Sequence, residues 1–321
     1  MKILVTGANG FLASYIIRNL IARGETVYGM MRHNADARNL DGLPLFHVYG
    51  NLTNRDDMER ATKCMDVIVH TAALTSQSAT DREYYKVNVL GSHYLLQAVI
   101  ANKVKKVIYI SSANTIGYGD EQKPGTEELD ISAEFKSTGY ARSKWMAERL
   151  FRRVAEKGDP EVVILNPSFM IGFDATKGSS SQIFKLFLKS NPLMIPRGGR
   201  NFIYVDDVAK AVCNAIDKGR NGERYLLVNE NLTYDEFFSR VEMLSKVSKK
   251  KVKVPHSVLY LFGIGGSLAN MMGFHLPLNK ENAKVLSLRN YYSPEKAINH
   301  LGLMQTKLDV AITEALKNYM A

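Results

Sequence analysis

The sequence has little cysteine, since Cys64 and Cys213 are its two thiols in 321 residues. They lie far apart and lack the spacing of metal ligands, so we predict neither a disulfide framework nor a metal site. This cysteine usage favours a reducing, cytoplasmic setting. The apolar run at residues 1–10 is too short for the core of a signal peptide, so export is not expected.

Internal repeats and low-complexity tracts are also lacking, and the composition is that of an ordinary globular protein, with 45% hydrophobic and 23% charged residues. Net charge is +10, which suits anionic cofactors and substrates as well as nucleic acid. The densest basic run, KVSKKKVK at residues 246–253, contains no aromatic residue on which a base could stack. We therefore interpret it as a solvated surface and expect no nucleic-acid partner.

Residues 256–279 contain no Asp, Glu, Lys or Arg, and their number would be enough to span a membrane. Gly263, Gly265, Gly266 and Pro277 argue against a span. They favour a helix, a break and a second short helix that line an apolar pocket. Membrane contact is therefore not expected, and a segment of this kind would rather lie on a surface than cross it.

Short β-branched runs alternate with amphipathic helices over the first two thirds of the chain. This is the pattern of an α/β fold with a doubly wound parallel sheet, which binds ligands at the carboxyl ends of its strands. Predicted helices include residues 10–23, 81–102 and 140–157. Predicted strands are residues 2–6, 26–30, 45–48, 67–70, 106–110 and 162–165.

The alternation ends after Asn166-Pro167. Residues 178–181 are predicted to form a mobile loop, residues 182–189 and 206–218 helices, residues 196–199 a tight turn and residues 202–205 a strand. The chain is mostly helical from Thr233 onward. We predict a dinucleotide-binding Rossmann domain of residues 1–167 and 201–230, with a smaller, discontinuous substrate domain of residues 168–200 and 231–321.

A glycine-rich turn, TGANGFLA at residues 6–13, follows the first strand and opens the first helix. Gly7 permits a tight turn, Gly10 lets the backbone approach a pyrophosphate, and the helix N-terminus offers free amides. The alternative is a plain strand-to-helix turn. The residues predicted to bind cofactor here are Thr6, Gly7, Asn9, Gly10, Phe11 and Leu12.

The end of the second strand has no acidic residue to accept a hydrogen bond from a ribose 2′-hydroxyl. Arg32 stands there instead, and a guanidinium can bind a 2′-phosphate. We therefore predict NADP(H), with NAD(H) as the alternative if Arg32 is an ordinary surface residue.

Tyr140 and Lys144 are four residues apart and share one helix face. A nearby ammonium favours the phenolate, so Lys144 is predicted to lower the pKa of Tyr140 toward the range of a general acid or base. The fifth strand ends with Ser111 and Ser112, either of which can bind a substrate oxygen. Ser112 is preferred, but a shift of one residue would reverse the choice.

Together these motifs resemble the extended short-chain dehydrogenase/reductase family over nearly the whole chain. TGANGFLA is similar to that family's TGxxGxxG, with Ala13 in place of the last glycine. GNLTN at residues 50–54 is similar to its GDL, with Asn51 in place of an aspartate that meets adenine. Further similar segments are HTAA at residues 70–73, NVLG at 88–91, YxxxK at 140–144, NPS at 166–168 and FIYVDDVAKA at 202–211.

The resemblance implies that Tyr140 exchanges a proton with the substrate, Lys144 holds the ribose and lowers the tyrosine pKa, and Ser112 polarises the carbonyl. It also implies a homodimer through helices 81–102 and 140–157. It adds cofactor contacts at Asn51, Leu52, Thr71, Ala72, Ala73, Asn88, Pro167 and Ser168.

Two branches of the family, the dihydroflavonol reductases and the nucleotide-sugar enzymes, each resemble part of the sequence. The PRGG turn at residues 196–199 and Arg32 resemble dihydroflavonol reductases, and an apolar stretch at 258–274 suits an apolar small-molecule substrate. Arg200 stands where nucleotide-sugar enzymes grip a diphosphate, but Asn201 replaces the aspartate that usually follows. We predict an NADP(H)-dependent oxidoreductase that reduces a ketone or aldehyde. A nucleotide-sugar epimerase/dehydratase is the alternative, and a cofactor sensor without catalysis is disfavoured by the Ser, Tyr and Lys set.

Overall fold

The computed structural model describes residues 1–76, 78–174, 182–271 and 278–320. Its largest element is a seven-stranded sheet in the order β10-β6-β5-β4-β1-β2-β3, and every pair of neighbours in it is parallel. The strands of this sheet are β1 Lys2–Thr6, β2 Thr26–Met31, β3 Phe46–Tyr49, β4 Val67–His70, β5 Lys106–Ile110, β6 Glu161–Pro167 and β10 Arg224–Leu227.

Helices cover both faces of this sheet. In the order of the chain the helices are α1 Phe11–Ala22, α2 Arg55–Thr62, α3 Asp81–Tyr84, α4 Gly91–Ala101, α5 Ala133–Ser137, α6 Gly139–Ala155, α7 Gln182–Lys189, α8 Val205–Lys218, α9 Tyr234–Ser245, α10 His256–Met271, α11 Lys280–Leu286, α12 Glu295–Leu301 and α13 Leu308–Met320. One π-helical turn, Tyr85–Leu90, joins α3 to α4, and short 3-10 turns occupy Arg38–Leu40 and Ala113–Thr115.

Alternate residues of each strand point to opposite faces, so the sheet supplies two cores. On β5, Ile108 packs with α1 and α8, whereas Tyr109 packs with α2, α4 and α6. Fully burying one such side chain stabilises a fold by roughly 1.5–3 kcal/mol. The doubly wound parallel sheet predicted from the sequence is confirmed.

A smaller lobe contains β7 Phe169–Ile171, β9 Gly199–Tyr204, β11 Glu230–Thr233 and β13 Arg289–Asn290 in one sheet. Two further strands, β8 Leu193–Pro196 and β12 Lys251–Val254, form a parallel pair. Their core includes side chains of α7, α9 and α13.

The predicted Rossmann segment began at residue 201, but residues 201–204 lie in β9, which pairs with β7, β11 and β13 of the smaller lobe. Strand β12 lies inside the basic run, where the pattern Lys-Val-Lys-Val alternates with period two and was concealed by the charge. The loop predicted at residues 178–181 lies outside the described residues.

Helix α10 continues through Gly263, Gly265 and Gly266, and the other part of the predicted break, around Pro277, lies outside the described residues. Gly263 and Gly266 face α11 and its approach so closely that added Cβ atoms would meet Ala283 Cβ at 2.7 Å and Leu278 O at 1.8 Å. The glycines therefore permit close helix packing. The described part of α10 does not line the large cavity of the molecule.

Candidate active site

A cavity of about 890 Å³ lies at the carboxyl ends of the strands, where β1 and β4 are neighbours and the strand order reverses. The predicted cofactor residues line this cavity with the exception of Asn88. The lining includes Thr6, Gly7, Asn9, Gly10, Phe11, Leu12, Arg32, Asn51, Leu52, Thr71, Ala72, Ala73, Tyr140, Lys144, Pro167 and Ser168.

The glycine-rich turn has the geometry of a phosphate cradle. Gly7 adopts φ +66°, and a Cβ added there would lie 2.8 Å from Ala72 Cα. Gly10 precedes α1 as its N-cap without a side-chain cap, so the first amides of the helix stay available to a ligand. A pyrophosphate fits this turn because no side chain fills the space in front of the helix. The residues present are thus suited to a dinucleotide.

The loop after β2 carries one group that the sequence interpretation overlooked. Arg32 is exposed and lines the cavity, but Asp36 lines it too. The Asp36 carboxylate is paired with Arg38, whose Nη2 lies 2.6 Å from Oδ2, and this pair lowers the pKa of Asp36. Arg38 therefore neutralises part of the negative charge of Asp36. Arg32 is the positively charged side chain of the cavity lining at the end of β2.

Asn51 is held in a local turn beside the predicted adenine site. Its Oδ1 accepts hydrogen bonds from the backbone amide and the hydroxyl of Thr53 at 3.1 and 3.0 Å. The backbone amide of Asn51 donates to the Asp57 carboxylate at 2.8 Å. A contact from the Asn51 side chain to adenine would therefore use Nδ2 as donor. This differs from the acceptor role of the aspartate in the family motif.

Tyr140 and the two serines of the β5 end have different partners. Ser112 is close enough to Tyr140 to lower the phenol's pKa, but burial has the larger effect and raises that pKa above its ordinary value. The Ser111 hydroxyl instead donates to the Glu148 carboxylate at 2.6 Å. Both serines line the cavity, and Ser112 is the one of the pair that affects the pKa of Tyr140.

Lys144 lies one helical turn from Tyr140 and is 3% exposed. Its Nζ donates to Ile110 O at 2.6 Å and lies 4.3 Å from the centre of the Tyr109 ring. Burial lowers the pKa of Lys144 to about 7, and the negative charge of Glu148 offsets part of that effect. The predicted lowering of the Tyr140 pKa by this ammonium is not what the geometry gives, because desolvation outweighs other effects on the phenol.

Glu148, on α6 one turn beyond Lys144, is a site residue that the sequence interpretation missed. It is 2% exposed, and its Oε2 accepts hydrogen bonds from Ser111, Thr115 and Asn166 at 2.6, 2.7 and 2.9 Å. Arg224 Nη1 lies 3.4 Å from Oε1. The spacing of four residues from Lys144 was a usable signal, since Tyr140, Lys144 and Glu148 share one helix face.

Asn88 does not reach the cavity but connects three segments around it. Its Oδ1 accepts from the Leu74 amide at 2.7 Å, and its Nδ2 donates to Leu74 O and to Ser143 Oγ at 3.1 and 2.9 Å. It lies in the π-helical turn between α3 and α4. Asn88 thus fixes the loop after β4 against the helix that carries Tyr140.

His70 has a comparable structural role at the end of β4. Its ring nitrogens lie 2.8 Å from Thr6 Oγ1 and 3.1 Å from Ser92 Oγ. Burial lowers the pKa of His70 to about 3, so the imidazole is neutral at physiological pH. It connects the phosphate turn to α4 and does not line the cavity.

On the side of the smaller lobe, Ser168 donates to Asn201 Oδ1 at 2.6 Å, and Asn201 Nδ2 donates to Asn231 Oδ1 at 2.8 Å. Arg200 stacks on Phe169 with its guanidinium carbon 4.4 Å from the ring centre. Within the described residues, no group of three or more His, Cys, Asp or Glu is arranged to hold a metal. No helix of the described part of the chain is long and apolar enough to cross a membrane.

Comparison with known proteins agrees with this geometry. The sequence profile of the NAD dependent epimerase/dehydratase family matches residues 3–229. Sterol demethylase protein B of Methylococcus capsulatus is 31% identical over 79% of this chain and 78% of its own length. A putative dihydroflavonol 4-reductase of Synechocystis is 28% identical over 97% and 92%. The crystal structure of gox2253 superposes with a TM-score of 0.85 at 29% identity, covering 99% of this chain and 97% of its own.

The chain therefore belongs to the NAD dependent epimerase/dehydratase family, the extended short-chain dehydrogenases/reductases. It is an NAD(P)-dependent enzyme with a small-molecule substrate, of a family that contains both oxidoreductases and epimerases.

Proposed function

We propose that the protein is an NADP(H)-dependent reductase that converts a ketone or aldehyde on a moderately apolar small molecule to an alcohol. The observation that carries the proposal is that Ser112, Tyr140 and Lys144 lie together in the lining of one cavity, with Lys144 buried. Because the pKa of Tyr140 is raised, its phenol keeps its proton at neutral pH. That is the form needed to protonate a carbonyl oxygen during reduction.

The chain's own residues have separate parts in this reaction. Ser112 donates a hydrogen bond to the carbonyl oxygen and Tyr140 transfers its proton to the same oxygen. The charge that is left on the phenolate is stabilised by Lys144, whose pKa near 7 makes its ionisation sensitive to nearby anions. When NADPH is bound in the cavity, its nicotinamide supplies the hydride.

The preference for NADP(H) is supported by Arg32. Its side chain lies on the cavity beside the end of β2, where the ribose of a dinucleotide sits in this fold. A guanidinium there binds a 2′-phosphate with charge-assisted hydrogen bonds. The Asp36 carboxylate, which would favour a 2′-hydroxyl, is already paired with Arg38.

The alternative is a nucleotide-sugar epimerase or dehydratase, and Arg200 is the observation that favours it. Its stacking on Phe169 leaves the guanidinium edges available to an anionic group such as a diphosphate. Against the epimerase or dehydratase, the adjacent Asn201 side chain is already hydrogen-bonded within the protein. Its Oδ1 accepts from Ser168 and its Nδ2 donates to Asn231. We therefore prefer the reductase.

Replacement of Tyr140 by Phe tests the catalytic assignment. We expect Tyr140→Phe to bind NADPH as the wild type does and to lose at least about 100-fold in kcat, because the proton donor is absent. The matched control is Tyr85→Phe, since Tyr85 is 50% exposed on the same sheet face and does not line the cavity. Wild-type turnover by Tyr140→Phe would reject the mechanism.

Replacement of Arg32 by Ala tests the cofactor preference. Arg32→Ala should weaken NADPH binding by about 10-fold or more and leave NADH binding nearly unchanged, since only NADPH has the phosphate that Arg32 contacts. Titration calorimetry with both cofactors measures this, with exposed Arg153→Ala as the control. An equal loss for both cofactors would remove Arg32 from the phosphate site.

The reaction itself is tested by incubation with carbonyl compounds and with UDP- and dTDP-sugars. Oxidation of NADPH that depends on an aldehyde or ketone supports the reductase. Conversion of a sugar nucleotide without net change in the cofactor supports the alternative.

A further inference from the structure

The outward face of α10 is apolar and uncovered. Five large side chains on it are at least one third exposed, and the highest values are 67% for Leu261, 61% for Phe262 and 55% for Leu268. Val258 and Ile264, 38% and 36% exposed, complete the set. We call these five residues the α10 face. A monomeric protein rarely leaves so many large apolar residues together in solvent.

The opposite side of α10 explains why the α10 face points outward. Leu259 is buried with Val254 and Ala283, and Gly263 and Gly266 let the helix approach α11 closely. Since residues at spacings of three and four share a helix face, the inner face is occupied by this packing. The apolar residues at the other positions cannot be satisfied by α11.

The apolar surface extends onto the two-stranded sheet beside α10. Met194 on β8 pairs in register with Val252 on β12, and they are 48% and 36% exposed. Side chains two residues apart share a sheet face, so Val252 and Val254 lie on the same side. Because Val254 packs against Leu259 of α10, Met194 and Val252 border the start of that helix.

Exposed lysines border this apolar surface at both ends, Lys250 before β12 and Lys280 at the start of α11. Between Glu242 and Glu281 the chain has no acidic residue, and its lysines are Lys246, Lys249, Lys250, Lys251, Lys253 and Lys280. Lys250 is exposed where it immediately precedes β12, whereas Lys253, although its side chain is 63% exposed, is paired with Asp235 at 2.7 Å, and Lys251 is paired with Glu242 at 2.8 Å. At the other end, Lys280 Nζ lies 5.8 Å from the ring of Tyr260 on α10.

We propose that the α10 face docks on the surface of an anionic phospholipid bilayer, with the helix lying in the interface and the bordering lysines on lipid headgroups. An apolar helix face without charges, bordered by lysines, matches the chemistry of that interface. A second copy of the chain fits less well, because it would bring another lysine border against the first. The sequence favoured no membrane contact, and this docking is the surface-lying arrangement that it named as preferable to a span.

The docking surface is connected to the lobe that carries the candidate site. Helix α11 packs against α5, where Lys284 Nζ lies 3.4 Å from Glu134, and α5 directly precedes the helix that carries Tyr140. The inference does not depend on the proposed reaction, because the apolar face and its lysines lie outside the cavity lining.

Cosedimentation of the full chain with vesicles tests the apolar contact. We expect binding to phosphatidylcholine vesicles that contain half phosphatidylglycerol, and a fall of about 10-fold in the partition coefficient for Phe262→Ser. The matched control is Phe46→Ser, because Phe46 is 58% exposed on the far edge of the large sheet. Absence of wild-type binding, or an equal fall with Phe46→Ser, would overturn the proposal.

The electrostatic part is tested with the double variant Lys250→Gln, Lys280→Gln. Its binding to the anionic vesicles should fall by about 10-fold or more, whereas weak binding to pure phosphatidylcholine should not change. Equal binding of the wild type to both vesicle types would contradict the role of the lysines. Sedimentation velocity without lipid tests whether a second copy of the chain covers the α10 face instead. If the wild type is a dimer that Phe262→Ser dissociates, and neither protein binds vesicles, the α10 face is a self-association surface.

Discussion

Burial of a lysine ammonium lowers the stability of a fold, and the place of Lys144 beside Tyr140 gives a reason for keeping this lysine in the site. Its ammonium is removed from water and has one backbone acceptor, Ile110 O, so its pKa falls from the ordinary value of 10.5 to about 7. Glu148 opposes this shift from one turn further along α6. The pair thus keeps the ammonium available at neutral pH, where a phenolate on Tyr140 would need it.

Replacement of Lys144 by Met should show this cost directly. Between pH 7 and 10.5 the unfolded chain holds more protons at this position than the folded protein, so wild-type stability rises with pH through that window. Below pH 7 the full cost is present. Lys144→Met removes it, and we expect the variant to be more stable by about 2 kcal/mol at pH 6.

Urea unfolding at pH 6 and pH 10 measures the difference. The advantage of Lys144→Met should be much smaller at pH 10 or reverse, because the folded lysine is neutral there, the pH is close to the ordinary pKa of 10.5 that applies to the unfolded chain, and the variant lacks the bond to Ile110 O. A pH-independent difference would show that the ionisation of Lys144 does not limit stability.

At the scale of elements, the turn from β1 to α1 is where backbone shape matters most. Gly7→Ala would place a methyl group 2.8 Å from Ala72 Cα at a positive φ. We expect a loss of about 2 kcal/mol in the free energy of unfolding and at least about 10-fold weaker binding of both NADPH and NADH, because the phosphate cradle must shift.

Gly24→Ala is the matched control for this turn. Gly24 has a similar φ of +77°, but no atom lies within 4 Å of an added Cβ. That variant should lose about 1 kcal/mol of stability from backbone strain and keep its cofactor affinity. If both variants bind cofactor equally well, close approach at Gly7 is not what the cofactor requires.

At the scale of the molecule, Glu314 connects the two lobes. From α13 its carboxylate accepts hydrogen bonds from Tyr15 on α1, at 2.7 Å, and from Tyr204 at the end of β9. This carboxylate and burial together raise the pKa of both phenols. The phosphate-binding helix is thereby tied to the C-terminal helix of the smaller lobe.

Replacement of Glu314 by Gln should weaken that connection. We expect a loss of about 1–2 kcal/mol in the free energy of unfolding, because hydrogen bonds to a charged acceptor are replaced by weaker ones. Thermal unfolding of Glu314→Gln against Glu295→Gln, a change at the start of α12, measures it. Equal stability of the two variants would show that the lobes are held by apolar packing alone.

The homodimer and the cytoplasmic location stay predictions.

The sequence determined the features that depend on local order along the chain. Periods of hydrophobicity placed β1, α1 and β5 within one or two residues, since a strand or helix must present one face to a core. The glycine turn and the spacing of Tyr140 and Lys144 were likewise readable, because both act within a few residues. The order of these motifs was enough for the fold and the family.

Tertiary structure decided what depends on neighbours that are distant in the chain. The Ser111 hydroxyl donates to Glu148, which lies 37 positions away, and strand register alone does not show that pairing. The Asn88 side chain forms hydrogen bonds with Leu74 and Ser143 and does not reach the cavity. Desolvation, which is the main influence on the pKa of Tyr140 and Lys144, is set by the whole surrounding packing.

The same reason explains the α10 face. A sequence without charges is compatible with a buried helix, a membrane span or a surface, because composition does not say which side finds a partner. Only the close packing of Gly263 and Gly266 on α11 decides that the larger apolar residues face outward. Local pattern therefore determined the elements and the family, and long-range packing decided which side chains are buried, charged or exposed.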